Sequence, residues 1–205
     1  MIQAFLFDMG NVLVHFSHER MCAQIGNLCG RSAPEIRGLL IESGLQWEFE
    51  RGLITETEFH RRIEGLVDRD LEIERLLYAG SNIFELNTDI VPVIDALSKQ
   101  GHRLVLLSNT SVSHFEFVSR NFTVLDRFDD YVLSYRVGAL KPSPVIFEAA
   151  LQAIQCPPDC CFYTDDIPEY VAAGRKHGLR AEVFTTATAL VSQVLAMGVR
   201  LSSPT

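Results

Sequence analysis

Short, almost uninterrupted apolar runs alternate along this chain with longer segments whose apolar residues recur at helical spacing. Runs of this kind are typical of strands in a parallel sheet, because helices cover both faces of such a sheet. The alternation therefore predicts an α/β fold with a doubly wound parallel sheet and right-handed crossovers. The predicted strands are Ile2 to Phe7, Arg103 to Ser108, Asp130 to Ser134, Cys160 to Thr164 and Ala181 to Phe184. The predicted helices of this part are Val91 to Gln100, Val112 to Arg120, Pro144 to Ile154, Glu169 to His177 and Ala189 to Met197.

The region between the first two predicted strands breaks the alternation and carries only helical segments with charged faces. Within it, Thr55 and Glu58 fit a capping box that opens a helix. The 205 residues, 47% of them hydrophobic, suffice for one core domain and a small insertion. We therefore predict a Rossmann-like core of residues 1–16 and 86–205, with an all-helical cap of residues 17–85 inserted after the first strand. An insertion at that point lies above the carboxyl ends of the strands.

The net charge and the cysteines indicate which partners and which cross-links to expect. The formal net charge is −8, from 26 acidic and 18 basic side chains, without any block of Lys or Arg. This balance argues against binding to nucleic acid or to a membrane surface. The five cysteines form no C-x-x-C pair and no zinc-finger spacing, so we expect free thiols rather than a disulfide framework.

The ends of the chain add two expectations. The first residues lack a basic start, their apolar run is broken by Asp8, and no stretch is apolar for long enough to span a membrane, so we expect a cytoplasmic protein. The final Ser-Ser-Pro-Thr is expected to fray. The oligomeric state is left open by the sequence.

The first predicted strand ends on a carboxylate, Asp8, and the chain then turns through Met9, Gly10 and Asn11. In open α/β sheets, ligands bind outside the carboxyl ends of the strands. Taken alone, Asp8 also fits an aspartate that closes a turn or caps a helix. Three later segments favour a functional role instead.

These segments place polar side chains where predicted strands or near-strand turns end. Ser108 and Asn109 precede a helix, an arrangement that offers a hydroxyl and backbone N–H groups to an anion. Lys141 is stiffened by the proline after it and stands before a helix start, which makes it a candidate fixed cation. Asp165 and Asp166 end another strand, and adjacent carboxylates are tolerated in solvent or beside a cation. Singly, the three segments also fit a helix cap, a surface lysine and a solvated turn. Together they meet at one edge of a parallel sheet.

The order of the four segments resembles the motifs of the haloacid dehalogenase-like superfamily over nearly the whole chain. Asp8 with Gly10-Asn11-Val12 matches the first motif, Ser108 the second, Lys141 the third and the Asp165-Asp166 pair the fourth.

The helical insertion lies where the helical-cap subgroup of this superfamily carries its cap. Glu50-Arg51-Gly52, followed by Thr55 to Phe59, looks like a stretch of that cap. Within the superfamily the chain resembles bacterial sugar-phosphate phosphatases of the glucose-1-phosphatase type, which also carry Asp-x-Gly-Asn-Val.

The resemblance implies a magnesium-dependent phosphatase that acts on a small phosphorylated metabolite, such as a sugar phosphate. Asp8 would be the nucleophile and would form an aspartyl-phosphate that water hydrolyses. Lys141 would neutralise the transferring phosphoryl group, while Ser108 and Asn109 would hydrogen-bond it. A mostly oxygen shell together with phosphate suits Mg²⁺. The metal ligands that the resemblance implies are Asp8, the carbonyl of Gly10, and Asp166 supported by Asp165.

Two positions depart from the family pattern. Most phosphatases of the superfamily have a second aspartate two residues after the nucleophile, which protonates the leaving oxygen, and here that position is Gly10. General acid–base catalysis is worth about 10²–10⁴ in rate, so we expect slow turnover, good leaving groups or an acid from elsewhere, with His15 as one candidate. Tyr170 stands where the family usually has Asp or Asn, which bears on metal affinity. Gly10 also argues against a phosphomutase, and the paired aspartates argue against a metal-independent dehalogenase.

The alternative hypothesis is a catalytically weak protein that uses the same pocket to bind a phosphorylated metabolite or a protein partner. Gly10 and Tyr170 support this alternative. Specificity would in either case come from the cap. Its candidate contacts are Arg20, Trp47, Glu50, Arg51 and His60.

Overall fold

The predicted parallel sheet is present and has five strands, with the first strand of the chain at its centre. The computed structural model describes residues 1–201, and the Ser-Ser-Pro-Thr segment expected to fray lies outside them. The strands of the chain are β1 (Ala4–Phe7), β2 (Val14–Phe16), β3 (Phe84–Leu86), β4 (Arg103–Ser108), β5 (Asp130–Leu133), β6 (Cys161–Asp165) and β7 (Arg180–Val183). The sheet order is β5-β4-β1-β6-β7, and every neighbouring pair is parallel. This confirms the predicted strands, with small differences at their ends.

The helical insertion after the first strand is also confirmed. Its helices are α1 (His18–Cys29), α2 (Ala33–Arg37), α3 (Leu45–Glu50), α4 (Glu56–Val67) and α5 (Ile73–Ser81), with a π-helical turn at Gly38–Glu42. Thr55 is the N-cap of α4, because its side chain accepts a hydrogen bond from the backbone N–H of Glu58 at 3.2 Å. The division into a core of residues 1–16 and 86–205 and a cap of residues 17–85 stays a prediction.

A two-stranded ribbon at the base of the insertion differs from the prediction. β2 and β3 pair antiparallel, with His15 opposite Glu85 and Phe16 opposite Phe84. The expectation of purely helical structure up to Glu85 is therefore wrong at its C-terminal end. Each of these strands has three residues. So short a strand shows no alternation in sequence, and only pairing across the chain defines it.

Helices cover both faces of the sheet, as a doubly wound fold requires. They are α6 (Val91–Lys99), α7 (Val112–Asn121), α8 (Ser134–Val137), α9 (Pro144–Ala153), α10 (Pro168–Lys176) and α11 (Ala187–Ala196), with 3₁₀ turns at Thr123–Arg127 and Pro158–Cys160. In β4, Leu104 and Leu106 face the layer formed with α6, α7 and α11, whereas Val105 and Leu107 face α9 and α10. Burial on both faces explains why the strand sequences are continuously apolar.

Two further expectations can be compared with the structure. All five cysteines are free thiols, as predicted. Within residues 1–201, none of the helices combines the length and the apolar character that crossing a membrane requires.

A buried histidine joins the helical insertion to the core. His114 on α7 is 7% exposed, and its Nε2 lies 3.1 Å from the carbonyl oxygen of Gly80 on α5. Burial lowers the pKa of His114 to about 4. The folded protein therefore keeps this imidazole neutral at pH values at which an unfolded chain would protonate it.

We expect acid to destabilise the fold through His114. Between pH 6.5 and pH 4 the unfolded chain binds a proton at this residue and the folded chain does not, which lowers the free energy of unfolding by about 3 kcal/mol. Urea denaturation of the wild type and His114→Gln near pH 7 and near pH 4 measures the effect. The glutamine can still donate a hydrogen bond to the carbonyl oxygen of Gly80, but its side chain does not bind a proton in this pH range. Equal losses of unfolding free energy in the two proteins would contradict the prediction.

Candidate active site

The carboxyl ends of three adjacent strands bring the predicted site residues together. Asp8 directly follows β1, Ser108 ends β4 and Asp165 ends β6. Because β4 and β6 flank β1 on opposite sides, β1 marks the switch point at which doubly wound sheets bind ligands. Lys141 lies in the loop between α8 and α9 and reaches the same edge.

Lys141 holds the positive charge at the centre of the site. Its Nζ donates to Asp8 Oδ1 at 2.7 Å, to Asp165 Oδ2 at 2.6 Å and to the carbonyl oxygen of Leu107 at 3.0 Å. Burial alone would lower the pKa of Lys141, but the carboxylates of Asp165 and Asp8 outweigh it and raise the pKa above its usual value. The ammonium is therefore charged and fixed by three acceptors.

Three carboxylates cluster at this edge of the sheet, and two of them contact Lys141. Asp8, Asp165 and Asp166 each place one carboxylate oxygen within 4.8 Å of the others. Burial raises the pKa of Asp8, Lys141 opposes the rise, and the charge of Asp165 adds to it. A second cation beside the cluster would relieve this excess of negative charge. Oxygen donors of this kind suit a hard divalent cation.

The turn after β1 also positions the third carboxylate. Asn11 Nδ2 donates to Asp166 Oδ2 at 3.0 Å. Asn11 has a φ of 54°, in the left-handed region that asparagine tolerates, and its N–H donates to the carbonyl oxygen of Val14 at 2.7 Å. Burial raises the pKa of Asp166, and the hydrogen bond from Asn11 partly offsets this rise. Asn11 therefore orients Asp166 across the strand ends.

Asp165 is engaged through both of its oxygens. The hydroxyl of Tyr163 donates to Oδ2 at 2.6 Å, on the oxygen that Lys141 also contacts, and the N–H of Ile167 donates to Oδ1 at 2.9 Å. Tyr163 is fully buried, and a Cβ at Gly174 would lie 2.5 Å from its ring. Tyr163 is a site residue that the sequence does not reveal, because it lies inside an apolar strand where an aromatic side chain is ordinary.

Asn109 holds the loop of Lys141 through its side-chain amide. Its Oδ1 accepts from the backbone N–H of Lys141 at 2.7 Å, and its Nδ2 donates to the carbonyl oxygen of Lys141 at 3.2 Å. Tyr170 lies against the same lysine, with its ring centroid 5.2 Å from Nζ and its hydroxyl 3.4 Å from Asn109 Nδ2. Ser108 is buried at the end of β4 and lines the cavity with Asn109. The loop that carries Lys141 is therefore clamped by its neighbours.

A cavity of about 190 Å³ opens above this cluster, between the sheet edge and the helical insertion. The insertion, the ribbon and α7 contribute Phe16, His18, Trp47, Glu50, Phe84 and His114 to its wall.

Of the five candidate cap contacts, Trp47 and Glu50 line this cavity. The other three lie outside its lining. Arg20 Nη1 pairs with Glu85 at 3.1 Å, His60 Nε2 lies 2.6 Å from the carbonyl oxygen of Leu71, and Arg51 is exposed.

The place of the missing aspartate is covered by an aromatic ring. A Cβ at Gly10 would lie 2.8 Å from Cε1 of Phe16 on β2. His15, the neighbour of Phe16 on this strand, is exposed and lies outside the cavity lining, as the alternation of a strand requires. His15 is therefore a solvent-facing residue and not a candidate for the missing acid.

The fold and the site define a Rossmann-like α/β protein whose lysine–carboxylate centre is suited to an anion and a cation together. The family model for haloacid dehalogenase-like hydrolases matches residues 2–178, and the chain belongs to this family.

Relatives of known name or structure match most of the chain. The sequence is 27% identical over 185 residues to D-ribitol-5-phosphate phosphatase of Bacteroides thetaiotaomicron, covering 87% of this chain and 89% of that protein. A haloacid dehalogenase family enzyme of Bacteroides thetaiotaomicron, solved with magnesium and inorganic phosphate, has a TM-score of 0.81 at 24% identity over 91% of this chain and 96% of its own. A predicted haloacid dehalogenase-like family hydrolase from Porphyromonas gingivalis has a TM-score of 0.82 at 23% identity, over 98% and 99% of the two chains. These structural similarities show a shared fold.

Proposed function

We propose that this protein is a magnesium-dependent phosphatase that hydrolyses a small phosphorylated metabolite through an aspartyl-phosphate on Asp8. The observation that carries the proposal is the buried ion pair of Lys141 with Asp8, 2.7 Å long, at the switch point of the sheet. The name of the ribitol-5-phosphate phosphatase relative supports a sugar or polyol phosphate as substrate. The cavity of about 190 Å³ has room for a small organic group beyond the phosphate.

In the proposed reaction, a carboxylate oxygen of Asp8 attacks phosphorus. Two anions repel each other, so the charge of Lys141 and its fixed position reduce the barrier most directly. Ser108 and the backbone N–H of Asn109 hydrogen-bond the phosphoryl oxygens from the end of β4. Water then hydrolyses the aspartyl-phosphate and restores Asp8.

The carboxylate cluster fits Mg²⁺, because its donors are oxygens and its negative charge exceeds that of one lysine. Asp8, Asp166 and the carbonyl of Gly10 would hold the ion. Asp165, whose oxygens already accept from Lys141, Tyr163 and Ile167, would support this shell and orient the lysine. When bound, the ion would neutralise phosphate charge and align the phosphoryl group with Asp8.

A panel of sugar, polyol and aryl phosphates, assayed for phosphate release with Mg²⁺ and with a chelator, tests the proposal. We expect release from at least one sugar or polyol phosphate, a loss of activity on chelation and its recovery when Mg²⁺ is restored. Release that is unchanged by chelation would contradict the metal dependence, and no release from any phosphate would contradict the function.

The second candidate function is a protein that binds a phosphorylated metabolite with little turnover. The ring of Phe16 over Gly10 favours it, since the usual acid–base aspartate is absent and its space is filled. Binding of inorganic phosphate or vanadate in the presence of Mg²⁺, with turnover near background on the whole panel, would support this alternative.

A further inference from the structure

Glu50 is a buried carboxyl in the wall of the cavity, and the reaction described above gives it no role. We propose that Glu50 donates the proton to the leaving oxygen and takes a proton from the attacking water. It would replace the acid–base aspartate that most phosphatases of the superfamily have where this chain has Gly10. The inference rests on the proposed phosphatase function and names a catalytic residue contributed by the helical insertion.

The neighbourhood of Gly10 shows why the proton has to come from another element. The ring of Phe16 covers the direction in which a side chain at position 10 would point. An alcohol leaving group without a proton departs slowly, because an alkoxide is a strong base. A donor that another element contributes to the cavity wall solves this problem without displacing Phe16.

Glu50 is held where it can serve this purpose. It is the last residue of α3, and its carbonyl oxygen accepts a hydrogen bond from Ser134 Oγ of the core at 2.6 Å. Ser134 Oγ in turn accepts from the N–H of Thr110, a residue that also lines the cavity. Gly52 packs so closely against the backbone of Tyr135 that it leaves no room for a Cβ. This part of the insertion is therefore seated on the strand-end loops that carry the phosphate site.

The surroundings of the Glu50 carboxyl keep it ready to donate. Gln46 Nε2 donates to Oε1 at 2.9 Å, which leaves the second oxygen for a ligand. Burial raises the pKa of Glu50 to about 7, and the hydrogen bond from Gln46 offsets only part of the rise. A carboxyl group of this kind is protonated in a large fraction of molecules near neutral pH, as an acid–base catalyst requires.

The two histidines of the cavity are less suited to donate. His114 is bound to the carbonyl of Gly80, and burial lowers its pKa to about 4. Burial, with the nearby charge of Arg37, also lowers the pKa of His18. Both imidazoles are therefore mainly neutral at pH 7, whereas Glu50 retains a proton to give.

The proposed step balances in protons and charge. As Asp8 forms its bond to phosphorus, the bond from phosphorus to the ester oxygen breaks, and that oxygen takes the Glu50 proton and leaves as an alcohol. Water then attacks the aspartyl-phosphate and gives one proton to the Glu50 carboxylate. The bond from phosphorus to the Asp8 oxygen breaks, and inorganic phosphate leaves with both side chains restored.

Glu50→Gln tests the proposal, because the amide has the same shape and can still accept a hydrogen bond from Gln46, but it has no acidic proton to transfer to the leaving oxygen. The readout is the dependence of kcat/KM on leaving-group pKa over a series of substituted phenyl phosphates with Mg²⁺. We expect a shallow dependence in the wild type and a steep one in the variant. The loss should be about 10²–10³-fold for phenyl phosphate and within about threefold for p-nitrophenyl phosphate. Glu48→Gln, on the same helix but with 43% of its side chain exposed and paired with Arg62, is the matched control and should behave as the wild type.

Glu50→Asp adds a variant that keeps a carboxyl, and we expect it to retain the shallow dependence at a lower rate. It also serves as the test if Glu50→Gln does not fold. An unchanged slope in Glu50→Gln, an equal loss on every substrate, or a steepened slope in His18→Gln instead would overturn the proposal. A wild type that releases no phosphate from any ester would contradict the phosphatase function itself.

Discussion

Asp8→Asn is expected to abolish phosphate release, lowering kcat by about 10⁴-fold or more. The amide is a poor nucleophile and cannot form the acyl-phosphate bond of the proposed intermediate. The fold should persist, because Lys141 keeps its contacts with Asp165 at 2.6 Å and with the carbonyl of Leu107 at 3.0 Å. The measurement compares phosphate release by the wild type and the variant at saturating Mg²⁺. Thermal unfolding of both proteins checks that the variant is folded.

Asp166→Asn separates the role of nucleophile from that of metal ligand. Asp166 belongs to the carboxylate cluster but has no contact with Lys141 closer than 4.0 Å. Its loss should weaken Mg²⁺ binding, so raised Mg²⁺ should recover part of the activity, whereas no concentration of Mg²⁺ should rescue Asp8→Asn. Retained turnover in Asp8→Asn would remove Asp8 as the nucleophile.

Lys141→Met should have the second largest effect, and it should act on stability as well as on activity. The substitution removes the ammonium of Lys141 from the buried carboxylates of Asp8 and Asp165. Leaving buried charges unpaired costs about 3–5 kcal/mol of unfolding free energy. Losing a preorganised charge at the phosphoryl group should lower kcat by about 10²–10³-fold.

Urea denaturation at neutral pH, with and without Mg²⁺, measures this effect. We expect Mg²⁺ to restore part of the lost stability, because a divalent cation would compensate the same carboxylates. Lys99→Met, at an exposed position on α6, is the control and should change the unfolding free energy by less than about 0.5 kcal/mol. Similar stabilities for the two methionine variants would show that Lys141 does not neutralise the cluster.

The layout of the site can be predicted from local patterns in the sequence. Asp8, Ser108 and Asp165 lie at the ends of apolar strands, and a parallel sheet brings such ends to one edge whatever the details of packing. Lys141 is recognisable from the proline that follows it and from the helix start beyond. For these residues the prediction required only the type of each element and its direction.

The ribbon of β2 and β3 is a feature that local sequence patterns do not predict. Three-residue strands are too short to produce a pattern, so the sequence predicts an all-helical insertion that ends at Glu85 and no strand at Phe84–Leu86. The same ribbon turns Phe16 toward Gly10 and His15 toward solvent. The sequence leaves His15 open as a candidate acid, because the direction of its side chain depends on the pairing of β2 with β3 and not on neighbouring residues.

The sequence by itself determined the doubly wound fold, the helical insertion and the four strand-end or loop segments that carry the polar and charged site residues, because periodicity and chain direction are local properties. Only the tertiary structure decided that Tyr163 holds Asp165, that Phe16 covers Gly10 and that Glu50 enters the cavity. Each of these depends on how side chains pack between elements: Glu50, for instance, reaches the site through a bond to Ser134, 84 positions away in the chain. Contacts over such separations arise from the closure of the insertion on the sheet, which no segment of the sequence encodes alone.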